Sequence, residues 1–380
     1  MSHRVTALAL TGGGARAAYQ VGCLRAISRA RPEFAPSILT GVSAGAINAA
    51  HLACRSAGFA AAVEDLCGFW RSIDTELVFR VDAWSLASRF VGWGTRLLSG
   101  GVAPPMRGMV DTSPLREFLA ARLPLEEGRL AGVRPAIDSG SLRALVITTT
   151  SYASGRSISW VQGDGVELWR RPQREAVHAE ITLDHVMASA ALPLFFPAVR
   201  IGREWHGDGG VRQTAPLSPA MHLGATHILA VSPRFTRGDE PNRALTLPYP
   251  SPARVAGILA NAIFLDMLDF DALQMQRINS LLAHVPPGAR GSLRPLQVLI
   301  LRPSRDLGRV AAEHEYRLPR LFRFLQRGIG SRDGRSADVV SMVNFEPAFI
   351  EGLIELGESD TNARIDEITA FLEEEVARGT

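Results

Sequence analysis

Lysine is absent from this chain of 380 residues: all 41 basic residues are arginine. Set against 38 acids, they leave a formal net charge of +3. The arginines are scattered rather than blocked, so there is no cationic stripe of the kind that follows a nucleic-acid backbone, and no nucleic-acid partner is expected. An arginine-only complement fits a GC-rich coding sequence, and it also fits affinity for phosphate or anionic lipid, which a guanidinium grips with two parallel donors. Cysteine is nearly absent too. Cys23, Cys54 and Cys67 are odd in number and hold no CxxC spacing, which argues against a disulfide framework and reads as reduced core thiols. No run of about 18 uncharged apolar residues exists, so no membrane-spanning helix is predicted. The apolar stretch Val5 to Leu10 passes directly into glycines and is too short for a secretory signal. These absences predict a cytoplasmic protein and leave attachment to a membrane surface open.

What is present is a large apolar fraction, 46%, with only 7% aromatic residues. Much of it is Ala, Leu and Val, a composition suited to an α/β globule with many helix–sheet contacts. No internal repeat is visible. Val5 to Thr11 reads as a buried strand, followed by Gly12-Gly13-Gly14 and a helical stretch from Ala15 to Ala30. Ser37 to Thr40 reads as the end of a second strand, then Gly41-Val42-Ser43-Ala44-Gly45, then an Ala-rich helix from about Ala46 toward Ala57. Strand, glycine turn and helix, twice over, predicts parallel βαβ construction. Further on, Leu142 to Thr150 and Arg156 to Val161 read as a strand and its return. Ser113 is expected to cap a helix with Pro114 as its first residue. Thr182 to Ala191 reads as a helix, Ala198 to His206 as strand-like, and Ala225 to Ser232 as a buried strand. The Pro-rich segment Pro233 to Pro252 is the best linker candidate. Beyond it come a helical region, about Val255 to Ala283, a strand Leu296 to Leu301 that should join the same sheet, and further helices. Residues 1–235 are expected to form the core, and 236–380 a linker with a mainly helical extension packed upon it. Between Trp84 and Leu98 the apolar residues fall on one arc of a helix, broken by Gly92 and Gly94. That segment is either a helix packed on the core or a cap that touches lipid.

Three segments carry chemistry. Gly41 to Gly45 fits G-x-S-x-G, which sets a serine on a sharp strand-to-helix turn where the helix amino terminus faces it. Gly12 to Gly14 exposes backbone N–H groups between a strand and a helix. Two readings compete there. Gly12-x-Gly14-x-x-Ala17 formally fits a dinucleotide fingerprint, which wants an acid at the end of the second strand; this chain has Gly41-Val42-Ser43 there. The other reading is an oxyanion hole. Arg16 either supports the loop, holds a lipid phosphate or is an ordinary packing or surface arginine. The third segment, Asp208-Gly209-Gly210, is an acid on a tight loop; alone it is an ordinary turn. A serine nucleophile usually needs a histidine base. None of the histidines after Asp208 (His222, His227, His284, His314) sits in a motif-like loop. The elbow also follows only the second strand, too early for the ordinary α/β-hydrolase fold.

Taken in order, the glycine loop, the G-x-S-x-G elbow and the later D-G-G resemble the patatin-like phospholipase family. Ala188-Ser189-Ala190-Ala191-Leu192-Pro193 resembles that family's A-S-x-x-x-P block, and Asp111-Thr112-Ser113-Pro114-Leu115 its helix start. The resemblance covers about Val5 to Ser232. It implies a three-layer α/β fold, a central mostly parallel sheet flanked by helices with a helical C-terminal elaboration. It also implies a lipid acyl hydrolase that works through a Ser–Asp dyad, with Ser43 as nucleophile and Asp208 as base. Gly12, Gly13, Gly14 and Ala15 would form the oxyanion loop, and Arg16, Gly41, Gly45, Gly209 and Gly210 would support loop and elbow. No cofactor and no metal are implied; the expected partner is a lipid or lysolipid substrate, with the oligomeric state open. A nucleotide-binding protein and an inactive scaffold of the same fold are the alternatives.

Overall fold

The computed structural model describes residues 4–54, 57–80, 108–235, 267–291, 293–312 and 341–373. Twelve strands are named along these residues. They are β1 (Thr6–Leu10), β2 (Ile38–Val42), β3 (Leu125–Glu126), β4 (Arg129–Leu130), β5 (Ala144–Ser151), β6 (Ser157–Gly163), β7 (Arg170–Arg171), β8 (Arg174–His178), β9 (Val199–Ile201), β10 (Glu204–Asp208), β11 (His227–Val231) and β12 (Gln297–Leu301). All but β3 and β4, which form a small hairpin, belong to one sheet in the order β12-β11-β1-β2-β5-β6-β8-β7, with β10 paired to β5 and β9 to β10. From β12 to β5 every pairing is parallel. The middle strands are buried on both faces, which is why they read in sequence as unbroken apolar runs.

The two faces differ in bulk. Leu8, Leu10, Leu39, Leu145, Ile147, Leu229 and Val231 pack on one; Ala7, Ala9, Ile38, Ala144, Val146, Ile228 and Ala230 pack on the other. This is the two-residue alternation of a strand. The leucine-rich face carries α1 (Ala18–Ala30), α2 (Ala44–Ala53) and α3 (Phe59–Arg71), followed by α4 (Thr75–Val78), α5 (Ser113–Arg122), α6 (Val133–Asp138) and α7 (Leu183–Ser189). The alanine-rich face carries α8 (Ser218–His222) and α9 (Met267–Leu282). After β12 come α10 (Leu307–Ala312), α11 (Pro347–Asn362) and α12 (Ile365–Glu373). Phe349, Ile350, Leu353 and Ile354 of α11 are fully buried on the leucine-rich side. The result is the expected three-layer α/β architecture, and β12 joins the sheet as anticipated.

Several local expectations shift. Ser113 lies inside α5 and Thr112 takes the cap position. The Asp111 carboxylate explains this: it accepts from both the amide and the hydroxyl of Ser113, which is thereby drawn into the first turn. The Ala-rich helix begins at Ala44, two residues early, because it starts immediately after the elbow. Ala198 to His206 is not one strand but the hairpin β9–β10, which reverses near Gly202 at φ 59°. The Trp84 to Leu98 segment, and residues 236–252 of the linker candidate, lie outside the described residues.

Candidate active site

The decisive geometry is on one edge of β5. Strand β2 runs parallel to β5 and its last paired residue, Val42, stands opposite Thr148. Strand β10 runs antiparallel to β5 along the same edge, and its last residue, Asp208, stands opposite Thr149. The two strands therefore approach end to end and stop on adjacent rungs. Ser43 follows Val42 directly, so the serine and the aspartate meet where the strands meet. Residues 165 positions apart in sequence are thus brought together by register alone.

Ser43 has φ 55° and ψ −131°, a conformation L-residues rarely adopt, which costs about 1–3 kcal/mol. Helix α2 begins at the next residue and aims its amino terminus at the serine. The Ser43 N–H donates to Ser189 Oγ (3.0 Å), and that hydroxyl donates to the Thr148 carbonyl (2.7 Å). Ser189 is fully buried. Two residues on, the Ala191 carbonyl accepts from the Asp208 N–H at 3.0 Å. One short segment at the end of α7 therefore holds both halves of the pair. The sequence offered Ser189 as part of a resembling block without a role; the structure supplies one.

Asp208 is fully buried. Its Oδ1 accepts from the Gly210 N–H at 2.8 Å, and its carbonyl accepts from Thr150 Oγ1 at 2.8 Å. Burial pushes the carboxyl up to about 7, against smaller lowering effects from the Ser43 hydroxyl and the Gly210 amide. Oδ2 is buried with no donor in hydrogen-bond geometry. The serine thus sits close enough to be felt electrostatically while its hydrogen bond to the acid is not closed, as is common in sites without substrate. Among the described residues no histidine figures among the causes of the Asp208 shift. His206, two residues earlier, is hydrogen-bonded through Nδ1 to the Thr149 hydroxyl, which also accepts from Trp160 Nε1. His222 stacks on Trp169, His227 Nδ1 pairs with Thr226 Oγ1, and His284 Nδ1 faces the Ser280 carbonyl. His314 lies outside the described residues.

The glycine loop passes beside Ser43. A Cβ on Gly12 would lie 2.9 Å from Ser43 Cβ. Gly14 has φ 58°, and a Cβ there would lie 2.0 Å from the Met342 carbonyl, so only glycine fits. Among the described residues the Gly13 and Gly14 amides donate to no protein acceptor. Gly14 to Ala17, including Ala15, forms a short 3-10 turn before α1. A Cβ on Gly41 would lie 2.5 Å from the Gly45 carbonyl oxygen and one on Gly45 2.3 Å from that of Leu10, and Gly209 lies against the Thr148 carbonyl. Arg16 is only 3% exposed, which excludes the surface reading; its Nε donates to Ser341 Oγ at 2.7 Å.

A buried network ties loop to elbow helix. Gln20 donates to the Thr11 and Val231 carbonyls, Asn48 donates to Gln20 Oε1 at 2.9 Å, and Trp70 Nε1 donates to Asn48 Oδ1 at 2.7 Å. Sequence reasoning missed these residues. Their signal was a lone amide side chain inside an otherwise apolar stretch, Ala17 to Leu24 and Ala44 to Ala50. Above Ser43 lies a pocket of about 40 Å³, lined by Gly13, Gly14, Ala190, Leu192, Phe196, Met342, Val343 and Phe345. The late segment around Met342 thus forms one wall of the site, held by Arg16.

A family model described as patatin-like phospholipase matches residues 8–221, more than half of the chain. The chain belongs to the patatin-like phospholipase family. The matched patatin-like region contains the glycine loop, Ser43, Ser189 and Asp208, and stops before the wall at Met342. Among solved structures it is similar to VipD from Legionella pneumophila (10% identity, 96% of this chain and 67% of that one, TM-score 0.38). It is also similar to human GIVD cytosolic phospholipase A2 in complex with methyl gamma-linolenyl fluorophosphonate (13%, 97% and 58%, TM-score 0.45). A third is the type III effector protein ExoU (12%, 96% and 53%, TM-score 0.39). The chain thus spans 53–67% of the length of these proteins, and likenesses this distant carry no part of the argument. No curated protein sequence matches. Among the described residues no helix is long and apolar enough to cross a membrane.

Proposed function

We propose that this patatin-like chain hydrolyses carboxylic esters of lipids through Ser43 and Asp208. The observation that carries the reading is the end-to-end meeting of β2 and β10 on β5, which sets a strained serine beside a buried carboxylate. Asp208, raised to about 7, is a far better base than an exposed carboxylate while still ionised above neutral pH. Ser43 Oγ attacks the ester carbonyl and its proton passes to Asp208. The tetrahedral oxyanion is received by the Gly13 and Gly14 amides, with the Gly12 to Ala15 turn and the amino terminus of α2 adding positive field. The bond to the leaving alkoxide breaks as Asp208 returns the proton to it. Water then gives a proton to Asp208, its oxygen adds to the acyl carbon, and the fatty acid leaves as Ser43 recovers its proton. No step draws on a metal or cofactor.

The apolar walls at Leu192, Phe196, Val343 and Phe345 favour an acyl substrate over a polar one. About 40 Å³ accommodates the reacting ester group, and chain and head group extend beyond it. Leu194, between the lining residues Leu192 and Phe196 in sequence, is 84% exposed at φ 67°, which supports contact with a lipid surface. The test is labelling with a long-chain alkyl fluorophosphonate beside a panel of phospholipids and p-nitrophenyl esters. Ser43→Ala should remove labelling and lower hydrolysis by about a thousandfold or more. Full esterase activity in that variant would overturn the assignment.

A further inference from the structure

On the face of the sheet opposite Ser43, a second cavity of about 500 Å³ opens between β7, the end of α8, α9 and the segment leading into β12. That is within the roughly 300–1,000 Å³ of small-molecule sites. None of its lining residues lines the Ser43 pocket. Its floor is apolar, made by Met221, Met275, Ile278 and Leu296. The walls are pinned. Asn279 accepts from the Leu296 N–H (3.0 Å) and donates to the Leu296 carbonyl (2.7 Å), and Arg294 donates to the Met221 carbonyl (2.9 Å). His222 stacks on Trp169 at 4.8 Å and 13°.

The rim is cationic. Arg170, Arg171 and Arg294 line it with one acid, Glu167. Arg170 lies 3.4 Å from Glu175, but among the described residues Arg171 and Arg294 meet only backbone carbonyls. Their field converges on the cavity: the His222 ring is pushed down to about 4 by burial, then by Arg171, Arg174 and Arg294.

We propose that this cavity binds an anionic amphiphile, with its carboxylate or phosphate head on Arg171 and Arg294 and its aliphatic chain along the floor beside α9. A neutral apolar ligand would leave the two guanidiniums without a counter-charge. A small free anion would leave the apolar floor empty. A head joined to a chain satisfies both.

The test is photo-crosslinking with a diazirine-bearing fatty acid, mapped by mass spectrometry, on the wild-type chain and on Ser43→Ala. It needs no turnover, so it reads independently of the proposed reaction. Label is expected on the segments holding Met221, Met275 to Asn279 and Leu296. Oleate or oleoyl lysophosphatidate should compete, and which is stronger identifies the head group. The double variant Arg171→Ala, Arg294→Ala alters two exposed side chains and is expected to fold. Competition should weaken about tenfold or more in it, the loss typical of a charged hydrogen bond. Label confined to the Phe196 and Met342 pocket, equal competition by neutral monooleoylglycerol, competition by inorganic phosphate alone, or an unchanged double variant would each overturn the proposal.

Discussion

Asp208→Asn should make the folded protein more stable above neutral pH while abolishing its activity. In the native chain the carboxyl is raised from the ordinary 3.8 to about 7, with burial as the leading cause. A raised carboxyl means that the folded state binds the proton more tightly than the unfolded state. Stability from this group is therefore full below pH ~4, declines as pH rises, and is gone once pH passes about 7. At about 1.4 kcal/mol per tenfold, the ionised carboxylate costs the fold roughly 2–4 kcal/mol at pH 8, the lower figure allowing for local relaxation. Asparagine carries no charge. Its Oδ1 can still accept from Gly210, so the loop should survive. Urea unfolding of wild type and Asp208→Asn at pH 4.5 and pH 8 reads the difference directly. The variant should lead by a few kcal/mol at pH 8, and the lead should shrink strongly at pH 4.5. A variant less stable than wild type at pH 8, or a difference that ignores pH, would refute the argument that burial of a charge sets the base.

The same pKa predicts that kcat/KM for a soluble ester rises with pH and levels off above about 7, because the base must be ionised; a flat profile between pH 5 and 8 would count against Asp208 as base. Ser189→Ala strands the Ser43 N–H and the Thr148 carbonyl. It should cost about 1–3 kcal/mol in chemical denaturation and lower kcat more than it changes KM. Gly14→Ala drives a methyl into the Met342 carbonyl; activity and fluorophosphonate labelling should fall together while circular dichroism is retained. Leu194→Asp should weaken hydrolysis of vesicle lipid several-fold and leave a soluble p-nitrophenyl ester unchanged, since Leu194 is 84% exposed and lies outside the pocket lining.

Much of this site was legible in sequence because its backbone demands are severe. A nucleophile elbow requires glycines at fixed offsets, and Gly41 and Gly45 stand where side chains would strike the backbone. A parallel strand buried on both faces must be apolar throughout, so β1 and β11 could be read directly. The parts that escaped are those in which polarity serves a distant partner. Gln20 and Asn48 look like interruptions of apolar stretches until the fold brings Thr11, Trp70 and one another within reach. Ser113 looked like a helix cap because its preference is local, and Asp111 outcompeted it. The wall at Met342 carries no motif at all. Its closest approach to the glycine loop is a backbone carbonyl against Gly14, and any residue could supply that atom.

The order of the motifs then has a physical reason. A serine at the carboxyl end of β2 needs its acid from a strand that reaches the same rung of β5 from the other direction. Only an antiparallel strand does this without crossing the elbow helix. Strand β10 is the return arm of a hairpin that follows β5 and β6 along the chain, so the aspartate comes late in the sequence. The glycines after Asp208 belong to the same constraint, because a Cβ on Gly209 would meet the Thr148 carbonyl at 2.1 Å. Thr148 is also the acceptor for Ser189, which holds the Ser43 amide. One rung of β5 thereby sets the position of the nucleophile, its support and the loop of its base. Substitutions that shift β5 by a fraction of an ångström should therefore damage catalysis more than they damage stability.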